Sequence, residues 1–266
     1  METRWVDFLR TPGDASHAVQ VYAEVEELAE SVAAYLATGF AVGEPAVVIA
    51  TAEHHETFER FLAGAGWDAQ VVRAAGLLLA LDAHETLAML FEDGALSAAS
   101  FERVVGGVID DTAERFPERP IRAFGEMVDV LTARGEFDTA AELEELWNQL
   151  VSSRRLSLLC GYRLDVFDRA SQQMLPALCS AHTHVRPAYS MARLDSAVHT
   201  ALDEVLGASN ARMVQEIVRD AAHESSAPLS EQVLMWVSDR MPRHAERVLA
   251  AARANYGPEP VPASID

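Results

Sequence analysis

An α/β fold is predicted for this chain, a mainly parallel sheet with helices on both faces, followed by an all-helical module. Three observations carry that expectation. Ala46–Ala50 is apolar continuously and not alternately, and Ile121–Phe124 is so apart from Arg122, as strands covered on both faces are. Between them lie longer segments with apolar residues at helical spacing, and strands alternating with helices of that length call for parallel pairing. After Phe167 the strand signal stops and only helical stripes remain.

Taken in order, residues 1–14 close on the breaker cluster Thr11-Pro12-Gly13-Asp14 and read as a short lead-in. His17 to Tyr22 reads as the first strand. The helix after it carries Leu28, Val32, Tyr35 and Leu36 on one stripe and ends at Gly39. Gly43-Glu44-Pro45 turns into the strand at Ala46–Ala50, and a helix from Glu53 to Leu62 closes at Gly64 and Gly66. Ala69–Val72 and Leu77–Leu81 are weaker strands, followed by helices over His84–Phe91 and Ser97–Arg115. The strand at Ile121, a helix over Thr139–Val151 and the strand from Arg155 to Tyr162 complete the unit, so that Val19, Val48, Phe124 and Leu158 share one sheet.

From Arg169 onward no strand is expected. A helix runs to about Ala181 and into His182-Thr183-His184-Val185-Arg186-Pro187. Four amphipathic segments follow, striped at Leu194, Val198, Leu202 and Val205, at Met213, Ile217 and Ala221, at Val233, Val237 and Met241, and at Ala245, Leu249 and Ala252. Gly207, Pro228 and Pro242 separate them, and each is too short to persist alone. The expected division is a lead-in (1–14), an α/β domain (15–187), a helical module (188–256) that docks on that domain or pairs with a second copy with Trp236, Val237 and Met241 at the centre of the contact, and a proline-rich disordered tail (257–266).

Composition narrows the function. The formal net charge of −20 opposes direct contact with nucleic acid, whose phosphates need clustered Lys and Arg. No run approaches 18 uncharged apolar residues, and Met1-Glu2-Thr3-Arg4-Trp5 shows no signal pattern, so neither a membrane span nor export is expected. Two cysteines cannot form a disulfide framework, which favours a reducing, cytoplasmic setting.

The segment from His17 to Phe167 resembles the MEDS domain, the sensory domain named for methanogens, methylotrophs and the dichloromethane regulator. The matching pieces are Gly43-Glu44-Pro45, Gly125-Glu126-Met127-Val128, Leu143-Glu144 with Leu146-Trp147-Asn148, and Cys160-Gly161-Tyr162. His182-Thr183-His184-Val185 with Pro187 looks like the segment that closes the domain. The resemblance implies a three-layer fold related to the KaiC and RecA group of P-loop proteins, used for sensing. It does not cover the helices after Pro187.

The residues themselves speak against a working phosphate loop. Such a loop needs glycines, whose backbone N–H groups surround phosphates, with a Lys and a Ser or Thr. The first strand leads instead into Tyr22-Ala23-Glu24-Val25-Glu26-Glu27, with three carboxylates and neither glycine nor lysine. Two acids remain at strand ends, Glu53 and Glu126. They either cap the following helices or line a modified pocket at the carboxyl edge of the sheet, where open α/β sheets bind ligands. The candidate ligand-binding residues are Tyr22, Glu53, His54, Glu126, Tyr162 and Arg163; no catalytic residue and no cofactor is expected. Cys179, His182 and His184 form a weak C-x2-H-x-H metal pattern that needs a fourth ligand such as His199 or His223, and the histidines equally suit hydrogen bonding at a helix end. Trp147, spaced with Leu143 and Leu150, reads as core, and Arg154 and Arg155 read as a helix C-terminus.

The function expected is that of a cytoplasmic sensory or regulatory protein without catalytic activity. It would bind a small-molecule effector or a regulatory protein partner, or pair as a homodimer, and signal through the helical module. One alternative is a divergent nucleotide hydrolase or phosphotransferase using Glu53 and Glu126. Another is a metal- or haem-responsive regulator.

Overall fold

The computed structural model describes residues 2–172, 182–187, 189–221 and 228–257. The chain divides into two compact units, one of Met1–Arg163 with Ser180–Ala188, the other of Leu164–Cys179 with Tyr189–Asp266. Among the described residues, 164–172 group with the helices after residue 189. The tail expected to be disordered lies outside the described residues, apart from Gly257.

In the first unit the order is α1 (Glu2–Arg10), β1 (His17–Tyr22), α2 (Val25–Ala41), β2 (Ala46–Ala50), α3 (Ala52–Gly64), α4 (Ala69–Ala74), β3 (Leu78–Asp82) and α5 (Ala83–Ala88). Then come β4 (Phe91–Glu92), β5 (Ala95–Leu96), and α6 (Ala98–Phe101), which passes through a π-helical turn (Glu102–Gly106) into α7 (Gly107–Arg115). β6 (Ile121–Gly125), α8 (Met127–Ala133), α9 (Phe137–Ser153), β7 (Leu156–Arg163) and, after the excursion, β8 (His184–Arg186) complete it. Six strands form one sheet in the order β3-β2-β6-β7-β1-β8, every pairing parallel. Val19, Val48, Phe124 and Leu158 all lie in it, and their strands are buried on both faces, as continuous apolar runs require.

Local chemistry explains where the structure departs from expectation. The lead-in is a helix, because Trp5, Phe8 and Leu9 lie one turn apart and bury one face in the core under α2. Ala69–Val72 is helical and not a strand, since Asp68 caps the backbone N–H groups of Gln70 (2.8 Å) and Val71 (3.3 Å). Glu92-Asp93-Gly94-Ala95 is a tight hairpin; Asp93 and Gly94 both take positive φ (51° and 83°), which is the Asp-Gly signature of a type I′ turn. β8 was not expected at all. Three residues are too few to show a period, and this edge strand is fixed by tertiary bonds: Thr183 Oγ1 donates to the His17 carbonyl (2.7 Å), and Arg186 donates to Ser31 Oγ (2.9 Å).

Two glycines mark close approaches. A Cβ on Gly39 would stand 2.6 Å from the Arg122 side chain, so α2 has a gap into which that arginine fits. A Cβ on Gly161 would stand 2.9 Å from Leu28 and 3.4 Å from Phe124. Gly161→Val is accordingly expected to overpack this contact and destabilise the unit by about 1–3 kcal/mol, read as a lower urea midpoint.

The second unit contains α10 (Arg169–Gln172), α11 (Met191–Leu206), α12 (Ala208–Ala221), α13 (Leu229–Arg240) and α14 (Pro242–Tyr256). Its core holds Leu194, Val198 and Leu202 with Val214, Val218, Val233, Val237, Val248 and Leu249. Leu234 is buried in it as well, and Trp236 and Met241 are partly buried. Residues after Arg163 join this bundle through Phe167 against Tyr256 (5.7 Å between centroids), Asp165 with Arg253 (2.5 Å) and Gln172 accepting from Ser238 (2.7 Å). Among the described residues, no helix is long and apolar enough to cross a membrane.

Candidate functional site

β2 and β6 are neighbours, yet the chain leaving β2 travels outward to β3 while the chain leaving β6 travels the other way to β7. Such a reversal opens a crevice at the carboxyl ends of the two strands. Glu126, the first residue beyond β6, sits there. Its backbone N–H donates to the Ile49 carbonyl (3.2 Å), which locks the end of β6 to β2. Its side chain is 2 % exposed and accepts from two groups following β2, the Thr51 backbone N–H and His54 Nδ1 (2.5 Å). Thr51 caps α3 and so fixes where His54 begins the helix.

Two further groups close the cluster. The Tyr22 ring, at the end of β1, lies edge-on to His54 (5.9 Å, 71°), and its hydroxyl donates to Asp129 Oδ2 (3.2 Å). Asp129, one turn after Glu126 on α8, also accepts the Arg163 backbone N–H (3.0 Å). Four strand ends therefore meet in two hydrogen-bonded groups, Thr51–Glu126–His54 and Arg163–Asp129–Tyr22, joined by the edge contact of Tyr22 on His54.

Burial and mutual charge bias every titratable member whose shift is marked. Burial opposes the charge on His54, but the Glu126 hydrogen bond and the charges of Glu126, Asp129 and Glu53 outweigh it and hold the imidazole above its usual 6.5. Burial, aided by the Glu126 charge, pushes the Asp129 carboxyl up to about 6 against the bonds from Arg163 and Tyr22. Burial, with Asp129 and Glu126 nearby, drives the Tyr22 phenol far upward, so it stays a neutral donor. The arrangement sets an imidazole among carboxylates, surroundings that favour its protonated form and oppose a polyanion.

Of the six candidate residues, Tyr22, His54 and Glu126 are brought together. Arg163 joins through its backbone, with its side chain exposed, and Glu53 is exposed on the first turn of α3. Tyr162 goes elsewhere. Alternation along β7 turns Gly161 toward α2 and sends Cys160 and Tyr162 toward α9. Asp129 was missed, although acids three apart after a strand end share a helix face, which is a readable signal. His55, beside His54, instead contacts the Leu81 carbonyl (2.9 Å).

Tyr162 belongs to a second buried cluster. Its hydroxyl donates to Glu144 Oε1. His17 Nε2 lies 3.3 Å from Cys160 Sγ and 3.6 Å from Glu144 Oε2, while Nδ1 lies 2.8 Å from Asn148 Oδ1. His182 Nε2 is 3.7 Å from Glu144 Oε1, and its ring is 4.1 Å from that of His17. Burial lowers His17 to about 4 and raises Glu144 to about 8, and burial together with Glu144 raises Cys160. The Cys179–His182–His184 pattern is not what gathers here. His184 packs on Phe8 (5.3 Å), His199 is exposed beside Gln215 and Asp203, and Cys179 and His223 lie outside the described residues. The readable signal was Glu144 and Asn148, polar residues one turn apart on the inner face of α9 among Ala140, Leu143 and Trp147.

Comparison with known proteins adds one match. No curated protein matches the chain. The sequence model of MEDS, the methanogen/methylotroph, DcmR sensory domain, matches residues 16–183, more than half of the chain and nearly all of the sheet-bearing unit. With the sheet, the crevice and that match in place, the chain belongs to the MEDS family of sensory domains.

Proposed function

We propose that this is a regulatory protein, not an enzyme, whose α/β unit binds an effector at the crevice between β2 and β6 and whose helices pass on the bound state. The observation that carries the reading is the convergence of Tyr22, His54, Glu126 and Asp129 from three strand ends into two hydrogen-bonded groups that touch through the Tyr22 and His54 rings. A small molecule bearing donor or cationic groups fits that chemistry; the donor face of a regulatory protein partner offers the same groups.

We also read the unit as a P-loop-type fold that has lost its phosphate loop. Support comes from the position of β1 inside the sheet and from the turn after it, where α2 begins at Val25 with Glu26 and Glu27 in its first turn. ATP and GTP are therefore expected not to bind at micromolar concentration, with or without Mg2+. Tight binding in a calorimetric titration would revive the nucleotide hydrolase reading. The effector reading has its own test: a thermal-shift screen of small amines, amides and alcohols on wild type and Glu126→Gln. A stabilising compound whose effect disappears in the variant supports the site, and one that stabilises both equally refutes it.

A further inference from the structure

The geometry points to a site for one divalent transition-metal ion of the Zn2+ type, held by His17, Glu144, Cys160 and His182. One ligand atom from each residue lies within 4.8 Å of all the others, and all four residues are buried. The ligands come from β1, α9, β7 and the segment entering β8, so four separate parts of the scaffold aim at one point. A tetrahedral centre with metal–ligand bonds of about 2.0–2.3 Å places its ligand atoms roughly 3.3–3.6 Å apart. The distances from His17 Nε2 to Cys160 Sγ (3.3 Å) and Glu144 Oε2 (3.6 Å), and from His182 Nε2 to Glu144 Oε1 (3.7 Å), are already close to that.

The surroundings are those a metal site needs. Asn148 Oδ1 can only accept, so His17 Nδ1 carries the proton and Nε2 turns a lone pair toward Cys160 and Glu144. Tyr162 occupies Glu144 Oε1 as a donor. Glu144 Oε2 is buried with no hydrogen-bond partner, an arrangement that costs free energy in a closed polar core and that a cation would relieve. A cleft of about 340 Å3 lined by His17, Asn148 and Thr183 opens beside the cluster on the His17 side. The donor set fixes the class: hard cations such as Ca2+ and Mg2+ take oxygen ligands, whereas thiolate with imidazole selects zinc-like ions.

The test uses the full-length protein, stripped with chelator and titrated with Co2+ as the spectroscopic substitute for Zn2+. The expected result is a thiolate-to-cobalt absorption band with tetrahedral ligand-field bands, saturating at a single ion per chain and bleached by Zn2+. Cys160→Ser should lose the charge-transfer band, and His182→Gln should weaken binding at least about tenfold. Asn148→Ala, which removes no ligand, should weaken binding about 10- to 100-fold and keeps the test open if a ligand variant fails to fold. A wild-type protein that gives no such band at excess Co2+, or a band that survives Cys160→Ser, overturns the proposal.

Discussion

Replacing Arg122 with alanine is expected to cost on the order of 3–5 kcal/mol of folding stability, the usual penalty for breaking a buried ion pair from one side. Arg122 sits in the middle of β6 at 2 % exposure, where the flanking residues are apolar. Its Nε donates to Glu44 (2.7 Å), Nη1 to the carbonyls of Leu9 (2.8 Å) and Tyr35 (2.7 Å) and to Thr38 Oγ1 (2.9 Å), and Nη2 to the Arg10 carbonyl (3.0 Å). The guanidinium also lies 5.1 Å from the Tyr35 ring centroid. One side chain thus satisfies the carboxyl end of α1, the middle of α2 and the turn before β2. Alanine leaves those carbonyls and a partly buried carboxylate without their donor, in a space that Gly39 keeps open. Urea unfolding provides the measurement. A loss below about 1 kcal/mol would mean that water replaces the arginine and that the pair is no anchor.

The second large effect is electrostatic. With Glu126 changed to glutamine, His54 should titrate lower, because burial then acts against only Asp129 and Glu53. The sign of the stability change follows. In the native protein the folded imidazole binds its proton more tightly than the unfolded one, so its stabilisation is complete below 6.5 and is lost as pH rises through the folded value. Asp129, raised from 3.8 to about 6, acts in the same direction: its folded carboxyl keeps its proton, and that advantage fades as pH climbs through this window. Stability from these two groups therefore declines from about pH 4 through the folded value of Asp129 near 6 and on through that of His54. In Glu126→Gln the His54 part should flatten or reverse, while the Asp129 part persists. Imidazole NMR titration and urea midpoints across pH check both, and an unchanged His54 titration would sink the charge-coupling argument.

Much of this architecture was legible because it rests on strong local patterns. The strands at Val48, Phe124 and Leu158 are apolar on both faces, and the stripes of α2, α9 and the four long C-terminal helices follow the helical period. Glu126 and His54 were found because parallel strands must gather their carboxyl ends. What escaped was fixed by contacts distant in sequence. Tyr162 was placed with Glu126 because strand-end position was weighed without the alternation that turns it to the other face. His17 looked like one more residue of a buried strand, since nothing near it in sequence announces Cys160, Glu144 or His182. Nothing in the sequence around Arg122 announces its partners, which lie at the end of α1, in α2 and in the turn before β2.

The order β3-β2-β6-β7-β1-β8 also has a cost in time. β1 leaves the ribosome before every other strand of the sheet, yet both its neighbours are made late: 143 residues separate His17 from Cys160 and 166 separate it from Thr183. Until β7 emerges, the apolar strand His17–Tyr22 has neither of its native hydrogen-bonding partners, and the sheet can grow only from its β2–β3 side. Parallel pairings across such distances close slowly and leave exposed strand edges meanwhile. Synthesis of this protein should therefore pass through a long, aggregation-prone interval that ends only when residues beyond 156 are free to slide in beside the N-terminus.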